Sequence, residues 1–404
     1  MNAPSPIPFL PYARQSVDES DIAAVTAVLR GDYLTTGPEV EAFEAALCGV
    51  TGAPRAIACS NGTAALHLAA RALGIGPGQS VIVPSITFLA TANAPALEGA
   101  DVVFADVDTA SGLMTPQTLI DALARAPSRP SAVFNVHLAG QAGDVAGIAE
   151  VARGAGLAIV EDAAHALGAR YAAGPGARHQ VGACDHCDLV TFSFHPTKIA
   201  TMGEGGAVTT RDPVLAARLR DDRCHGLTRD PARFGEAALA LGMEGRVNPW
   251  YYEMAAPGLN YRASDLQCAL GRSQLLRLAD FLATRRALAT GYDTRLAPLA
   301  EIVRPLARVP GAESAWHLYV VRIDFEAAGL TRGAVMRALA AHGIGTQVHY
   351  IPVHRQPYYR ARAPRLHLPG AEAYYAECLS LPMWSGLGES ELDRVVCALA
   401  DALR

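Results

Sequence analysis

The segment DLVTFSFHPTKIATMGEGGAVTT, from Asp188 to Thr210, joins two β-rich stretches through a glycine-rich loop that carries one lysine. Lys198 is the only basic side chain other than histidine between Arg178 and Arg211. Apolar surroundings solvate an ammonium ion poorly, so they lower the pKa of a lysine and favour the neutral amine that attacks carbonyl groups. The alternative is a lysine at a strand end whose ammonium extends into water.

Apolar segments alternate with helical patterns on the N-terminal side of this loop. Strands are predicted at residues 56–59, 81–83, 102–105, 132–136, 158–161, 189–194 and 207–209, and helices at 64–73, 89–97, 116–125 and 145–155. This alternation predicts an α/β fold with a mostly parallel, seven-stranded sheet covered on both faces. Ligands of such sheets bind outside the carboxyl ends of the strands, which is where the candidate site residues fall.

The remaining chain predicts an arm and a second, smaller α+β unit. Residues 1–17 are proline-rich and predict an extended arm that packs with this unit, whereas 18–30, 39–49 and 213–222 predict helices. One long helical stretch is expected at 264–296, then strands at 318–323 and 345–349 and helices at 332–341 and 389–403. We therefore expect an N-terminal arm and large domain over 1–257, and a linking helix and small domain over 258–404.

Bulk composition excludes several classes of protein. The chain has 404 residues, a net charge of −5 and no long apolar run, which argues against nucleic-acid and membrane partners. The N-terminus lacks the pattern of a secretion signal, so the eight cysteines are expected as free thiols in the cytoplasm. Cys184 and Cys187 form a C-x-x-C pair without a second pair nearby, which favours ordinary thiols over a metal site.

Three motifs place candidate ligand-binding residues at strand ends. Gly62 and Thr63 open a helix after a strand, an arrangement that suits a phosphate but also serves ordinary capping. Phe88 follows a strand, where it can stack on a planar ring or belong to the core. Asp162 also ends a strand, with His165 three residues later; the alternatives are a helix cap and a structural histidine.

SFHPTK followed by GEGGAV resembles the lysine motif of the DegT/StrS sugar-nucleotide aminotransferases, and related motifs extend from about Phe9 to the C-terminus. The resemblance implies a fold-type-I transferase that uses pyridoxal 5′-phosphate (PLP). It implies that Lys198 forms a Schiff base with PLP, and that Asp162 holds the proton on the pyridine nitrogen. The remaining cofactor contacts that it implies are Gly62, Thr63, Phe88, His165, Ser193 and, from the partner subunit, Asn260.

The same resemblance implies a substrate and an assembly. The motifs look most like the branch that makes UDP-4-amino-4,6-dideoxy-N-acetyl-β-L-altrosamine in pseudaminic acid biosynthesis, with L-glutamate as amino donor. A partner residue in each site implies at least a homodimer. Other nucleotide sugars, such as dTDP-sugars and the legionaminic and bacillosamine series, stay open, as does a PLP-bound regulatory protein without turnover. The expected substrate contacts are Thr35, His225, Arg229, Tyr319 and His349, and no metal is expected.

Overall fold

The computed structural model describes residues 8–172, 174 and 176–404, so part of the predicted arm, residues 1–7, lies outside them. The strands are β1 (Arg55–Cys59), β2 (Ser80–Pro84), β3 (Asp101–Ala105), β4 (Ala132–Val136), β5 (Ala158–Asp162), β6 (Arg170–Ala172), β7 (Arg178–Gln180), β8 (Leu189–Ser193), β9 (Gly206–Thr210), β10 (Leu227–Thr228), β11 (Glu253–Met254), β12 (Val303–Pro305), β13 (Tyr319–Ile323) and β14 (Cys378–Leu381).

The helices alternate with the strands in the first half of the chain and dominate the second. They are α1 (Glu19–Leu29), α2 (Pro38–Thr51), α3 (Gly62–Ala72), α4 (Leu89–Leu97), α5 (Pro116–Arg125), α6 (Val145–Gly154), α7 (Pro213–Arg223), α8 (Ala237–Ala240), α9 (Asp265–Leu276), α10 (Leu278–Leu296), α11 (Arg332–Ala341), α12 (Pro357–Arg362), α13 (Pro369–Glu377) and α14 (Glu389–Ala402). No helix in the described part of the chain combines the length and the hydrophobicity needed to cross a membrane.

The main sheet has the strand order β1-β9-β8-β5-β4-β2-β3. β9 runs antiparallel to both of its neighbours, and the other pairs are parallel. Because its strands are buried, their sequences are almost continuously apolar, and this is why the seven strands were predictable. The structure confirms the mostly parallel seven-stranded sheet. Since β9 starts at the carboxyl edge of the sheet, the whole loop between β8 and β9 lies at that edge.

A second, antiparallel sheet, β12-β13-β14, packs with α10, α11 and α14 in the C-terminal part of the chain. The N-terminal arm joins it, because the Leu10 N–H donates to Gly343 O over 2.8 Å and the Gly345 N–H donates to Leu10 O over 2.7 Å. The predicted strand at 345–349 is wrong. Ile344 bridges the arm while Gln347 bridges Ser380 of β14, so the segment shares no continuous partner strand.

The predicted helix over 264–296 is two helices, α9 and α10, which meet at Arg277. The Arg277 guanidinium forms ion pairs with Asp18, over 2.8 Å, and with Asp21 at the start of α1. Its backbone N–H bonds back to Gln274 O over 3.1 Å, which closes α9. The chain therefore turns where this arginine ties it to α1, an interaction that helical periodicity cannot reveal.

Candidate active site

A cavity of about 590 Å³ opens at the carboxyl edge of the main sheet. Its walls come from the turns that follow β1, β2, β5 and β8 and from the segment 347–351 of the C-terminal part. Eight residues predicted to contact cofactor or substrate line it: Gly62, Thr63, Phe88, Asp162, His165, Ser193, Lys198 and His349. Segments distant in sequence thus converge on one space, as expected for the edge of a parallel sheet.

Lys198 lies in a tight turn directly after β8. Its backbone N–H donates to His195 O over 2.8 Å, and the Met202 N–H donates to Phe194 O over 2.9 Å, which closes the loop. Burial lowers the pKa of the Lys198 amine to about 8, and the nearby carboxylate of Asp162 opposes that shift. About a tenth of this amine is therefore neutral at pH 7, far more than for an ordinary lysine, and the neutral amine is the form that reacts with carbonyl carbon.

Asp162 ends β5 with its side chain almost fully buried. The Thr91 hydroxyl donates to Asp162 Oδ2 over 2.7 Å, and the Ala164 N–H donates to Oδ1 over 3.1 Å. The hydroxyl oxygen of Thr87 lies 2.8 Å from that of Thr91 in α4, which extends this network to the turn between β2 and α4. The network fixes the direction of a carboxylate that lines the cavity, so Asp162 is positioned to pair with a positively charged group inside it.

The start of α3 lies beside Ser193. Asn61 Oδ1 accepts the Ala64 N–H over 2.8 Å and caps the helix, whereas the N–H groups of Gly62 and Thr63 have no acceptor among the described residues. A β-carbon at position 62 would collide with Ser193, so glycine lets the helix start approach that hydroxyl. Free amides at a positive helix end next to a hydroxyl fit a phosphate group.

Three histidines form a neutral wall of the cavity. The rings of His165 and His317 lie 4.2 Å apart, and burial together with the charge of Lys198 holds both pKa values well below the ordinary value. Burial lowers the pKa of His349 to about 3, and its Nδ1 lies 2.7 Å from the Ser380 hydroxyl. Within the described chain no arginine lines this cavity.

Four predicted contacts lie outside the cavity, with their side chains exposed. They are Thr35, His225, Arg229 and Asn260. Thr35 bridges to Ser264, and Asn260 bridges to Cys224. Exposure leaves these four side chains accessible to a second copy of the chain, but the isolated chain does not bring them to Lys198.

Tyr319 is not at the cavity either, although it was predicted to contact substrate. Its ring is buried against Tyr292, 4.5 Å away, and its hydroxyl donates to Asp293 over 2.9 Å. β13 directs this side chain toward α10, so Tyr319 belongs to the core of the C-terminal part.

The sequence interpretation missed His317 and Tyr350, which both line the cavity. Tyr350 directly follows His349, yet only the histidine was selected as a candidate. A clearer signal was also missed for the lysine: Lys198 is the only lysine in the sequence, all other lysine-or-arginine positions being arginine. Among the described residues, Cys184 and Cys187 are buried thiols, and no cluster of potential ligands is arranged for a metal ion.

Comparisons with known proteins agree with this geometry. The sequence model of the DegT/DnrJ/EryC1/StrS aminotransferase family matches residues 15–400. The spore coat polysaccharide biosynthesis protein SpsC of Bacillus subtilis (strain 168) is 37% identical over 399 residues, covering 98% of this chain and 97% of that protein.

Two solved structures extend the comparison. Helicobacter pylori PseC, an aminotransferase involved in the biosynthesis of pseudaminic acid, superimposes with a TM-score of 0.87 at 26% identity, covering 98% of this chain and 99% of that chain. The PLP form of a Streptococcus pneumoniae protein classed with the sugar aminotransferases gives a TM-score of 0.84 at 26% identity, covering 98% of both chains. The chain therefore belongs to the DegT/DnrJ/EryC1/StrS aminotransferase family and is a PLP-dependent sugar aminotransferase.

Proposed function

We propose that this enzyme transfers the amino group of L-glutamate to C4 of a UDP-4-keto-6-deoxy-N-acetylhexosamine, giving UDP-4-amino-4,6-dideoxy-N-acetyl-β-L-altrosamine. The observation that carries the reaction type is the only lysine of the sequence, placed in one cavity with the buried carboxylate of Asp162. The structural likeness to PseC over 98% of the chain supports the choice of sugar. This activity would place the enzyme in pseudaminic acid biosynthesis.

The residues of the cavity fit PLP in type and position. The amides of Gly62 and Thr63 and the hydroxyl of Ser193 would hold the phosphate, because they combine free donors with a helix start. Asp162 would pair with the protonated pyridine nitrogen. PLP, when bound, supplies an electron-withdrawing ring that stabilises negative charge at the reacting carbon.

Two aromatic side chains would bound the cofactor ring. Phe88 lines the cavity with its side chain 54% exposed, so it has an open face to cover a planar group. His165 would lie on the side of the cofactor's phenolic oxygen. Its imidazole is neutral, because burial and Lys198 lower its pKa, so it would border the cofactor without adding a charge.

Lys198 would perform two tasks in this site. Its amine would hold PLP covalently between turnovers, and once released it would carry a proton between the substrate carbon that bears the nitrogen and the cofactor carbon bonded to the same nitrogen. A lowered pKa suits both, since the group must give and accept protons near neutral pH. The hydrogen-bonded turn from His195 to Met202 would hold the backbone of Lys198 in place, so that its amine stays close to the reacting atoms after release.

We also propose that the enzyme is a homodimer with shared active sites. Asn260 would reach the phosphate of the neighbouring subunit, and Thr35, His225 and Arg229 would complete the substrate pocket there. Two features support this: among the described residues no arginine lines the cavity, and large apolar side chains in the segment that precedes Asn260 in sequence, including Met243 and Trp250, are exposed. Arg229 would bind a carboxylate of the donor or the diphosphate of the sugar nucleotide.

The domain division and the location of the enzyme are likewise proposals. We propose a large PLP-binding domain over 1–257, arm included, and a linking helix with a small domain over 258–404. The separate apolar core around β12, β13 and β14 supports the small domain, while α9 packs on α1 and α2 of the large one. The family and the reduced cysteines suit a cytoplasmic enzyme.

A substrate panel tests the assignment. The purified enzyme is loaded with PLP and given L-glutamate with UDP- and dTDP-linked 4-keto and 3-keto sugars, and kcat/KM is compared. We expect the UDP-4-keto-6-deoxy-N-acetylhexosamine with L-arabino configuration to exceed the others by at least about tenfold, which corresponds to about 1.4 kcal/mol of discrimination. A preference for a dTDP-sugar, or for a bacillosamine-type or legionaminic-type sugar, would replace the proposal.

A further inference from the structure

The segment 257–261 carries Asn260 along the surface of its own subunit. An antiparallel bridge between Asn260 and Cys224 shows that the backbone is extended here. Consecutive side chains of an extended chain point to opposite sides. Tyr261 packs against the large apolar core, so Asn260 points away from the core and is exposed.

Helix α3 holds both ends of this segment. The Arg71 guanidinium donates to Pro257 O over 2.7 Å, and His67 Nδ1 lies 3.0 Å from the hydroxyl oxygen of Tyr261. His67 and Arg71 are four residues apart in α3, so they lie on the same face of the helix, one turn apart. The two side chains therefore anchor the first and last residues of the segment to one rigid element.

Two carboxylates hold these anchors in place. Glu98 Oε1 lies 2.5 Å from His67 Nε2 and 3.3 Å from the Arg71 guanidinium, and Asp222 Oδ1 lies 3.4 Å from the same guanidinium. All four side chains are at most 23% exposed. Leaving a largely buried charged group without its partner is costly, so neither anchor can turn away easily. The network therefore keeps the segment in one position.

This network can affect a phosphate group by two routes. None of its four side chains lines the cavity of the described chain, so they act through other residues. One route is the first turn of α3, which holds the amides of Gly62 and Thr63 in the same subunit. The other is the segment 257–261, whose exposed Asn260 is accessible to a second copy. The contacts favour the second route, because both anchors bind the segment while Asn61 already caps the first turn.

We propose that His67 and Arg71 are positioning residues that act on the neighbouring active site: they hold the segment 257–261 so that Asn260 reaches the cofactor phosphate of the partner subunit. This role rests on the proposed shared site, in which Asn260 has that task. α3 then serves the phosphate of its own subunit with its first turn and that of the partner with its later turns. A defect at His67 in one subunit consequently weakens the site of the other.

Two mixed dimers locate the effect of His67→Leu, which removes both contacts of the imidazole and keeps an apolar side chain in α3. The dimers are purified through different affinity tags on their two chains. In each, one chain carries Lys198→Ala, so only one pocket attaches PLP covalently, and the absorbance of the attached cofactor gives the Kd of that pocket alone. His67→Leu lies on the chain that keeps Lys198 in the first dimer, and on the Lys198→Ala chain in the second.

The proposal predicts a PLP Kd within about twofold of wild type in the first dimer. In the second dimer the Kd should be about five- to fiftyfold weaker, as is typical for loss of about one strong hydrogen bond. Arg71→Met should give the same pattern. Weaker binding in the first dimer and normal binding in the second would mean that His67 acts through the first turn of α3, and would overturn the proposal.

Arg218→Met is the matched control. Its guanidinium donates to Ala72 O at the end of α3 over 3.1 Å and makes no hydrogen bond to the segment 257–261 within the described chain. This variant should leave the Kd of both dimers within about twofold of wild type. A loss equal to that of His67→Leu would show a general disturbance of α3 and would overturn the proposal.

Asn260→Ala in the same two dimers separates this role from the shared site itself. If Asn260→Ala weakens PLP binding only in the pocket of its own chain, the shared site is wrong and the role of His67 is wrong with it. If Asn260→Ala acts on the partner's pocket while His67→Leu acts on its own, only the role of His67 is wrong.

A double variant tests whether His67 acts through Asn260. As homodimers, His67→Leu/Asn260→Ala should bind PLP at most about twofold more weakly than Asn260→Ala alone, whereas fully additive losses would contradict the positioning role. If His67→Leu fails to fold or to dimerise, Tyr261→Phe replaces it, since it removes only the hydroxyl bonded to His67 and should weaken the partner's pocket about three- to tenfold. A Kd within twofold of wild type in every folded variant of His67 and Tyr261 would overturn the proposal.

Discussion

Gly62 and Ser193 lie so close that a β-carbon added to Gly62 would fall 2.7 Å from Ser193 Cβ and 3.0 Å from Ser193 Oγ. The first turn of α3 and the end of β8 therefore meet only because residue 62 has no side chain. This contact brings free amides and a hydroxyl to one point of the cavity, which is the arrangement that we propose for the phosphate of PLP.

Gly62→Ala should weaken PLP binding. The added methyl group pushes α3 away from Ser193, so we expect the Kd of PLP, measured by fluorescence titration, to rise by about tenfold or more. Gly49→Ala in α2 is the control, because its β-carbon would meet nothing within 4 Å. Alanine there should leave PLP binding unchanged and stabilise the protein by about 0.5–1 kcal/mol. Equal PLP affinity in Gly62→Ala and wild type would remove Gly62 from the phosphate site.

Asp162→Asn should retain the fold but lose about 100-fold or more in kcat, because an amide cannot stabilise a protonated pyridine nitrogen. Asp106→Asn provides a comparison directly after β3, the edge strand of the same sheet. Asp106 accepts the N–H groups of Gly370 and Ala371 over 2.9 and 2.7 Å and lies outside the cavity, so its loss should lower the melting temperature and spare kcat. Turnover near the wild-type level in Asp162→Asn would exclude the proposed pairing.

The covalent attachment of PLP should depend on pH through Lys198. Its pKa is lowered to about 8. The fraction of neutral amine therefore falls about tenfold for each pH unit below that value and approaches one above it. The attachment rate of the cofactor-free enzyme, followed by absorbance, should therefore rise up to about pH 8 and then level off. A lysine of ordinary pKa would keep gaining rate to about pH 10.4.

Lys198→Ala is the control for this measurement, since it should bind PLP without attachment and show no turnover. Borohydride reduction of the wild type should add one pyridoxyl phosphate, mapped to the only lysine of the sequence. A rate that climbs steadily through pH 9.5, or a label found elsewhere, would contradict the assignment.

Mixing two inactive variants tests the shared site. If Asn260 serves the partner's phosphate, a mixed dimer of Lys198→Ala and Asn260→Asp has one pocket with both defects and one intact pocket. After subunit exchange, the activity of the mixture should then exceed that of either variant alone. The upper limit is one working site per mixed dimer. Asn248→Asp, which alters the same irregular region at a residue bonded to Leu239 O, should retain activity by itself. No gain after verified exchange would show that Asn260 acts within its own chain.

The sequence was sufficient for the large sheet because each strand is a short apolar run between turn residues. The C-terminal part was less predictable. β12 and β14 are short strands whose existence depends on pairing with β13, and the break at Arg277 depends on ion pairs with α1. Such tertiary contacts leave no local periodicity, so the prediction merged two helices and placed a strand at 345–349.

In the candidate site, too, features that follow from local sequence were predictable, and those that depend on tertiary contacts were not. Residues at strand ends, such as Asp162 and Lys198, were placed together because the edge of a parallel sheet collects them. Tyr319 was misplaced because a motif does not reveal which face of a strand a side chain takes. Tyr350 was overlooked because its hydrogen bond to His165 joins residues 185 positions apart. Arg229 and Asn260 are exposed, so their proposed roles can be tested only in an assembly with a second copy of the chain.

Transfer of labelled nitrogen tests the central claim most directly. The PLP-loaded enzyme is incubated with nitrogen-15 L-glutamate and the UDP-4-keto-6-deoxy-N-acetylhexosamine, and the sugar product is examined by NMR. The proposed function predicts nitrogen-15 bonded to C4, coupled to the C4 proton, in a sugar that keeps its C6 methyl group and has the β-L-altro configuration. Label at C3 would contradict it. So would an unlabelled sugar, if the same enzyme aminates a different nucleotide sugar under the same conditions.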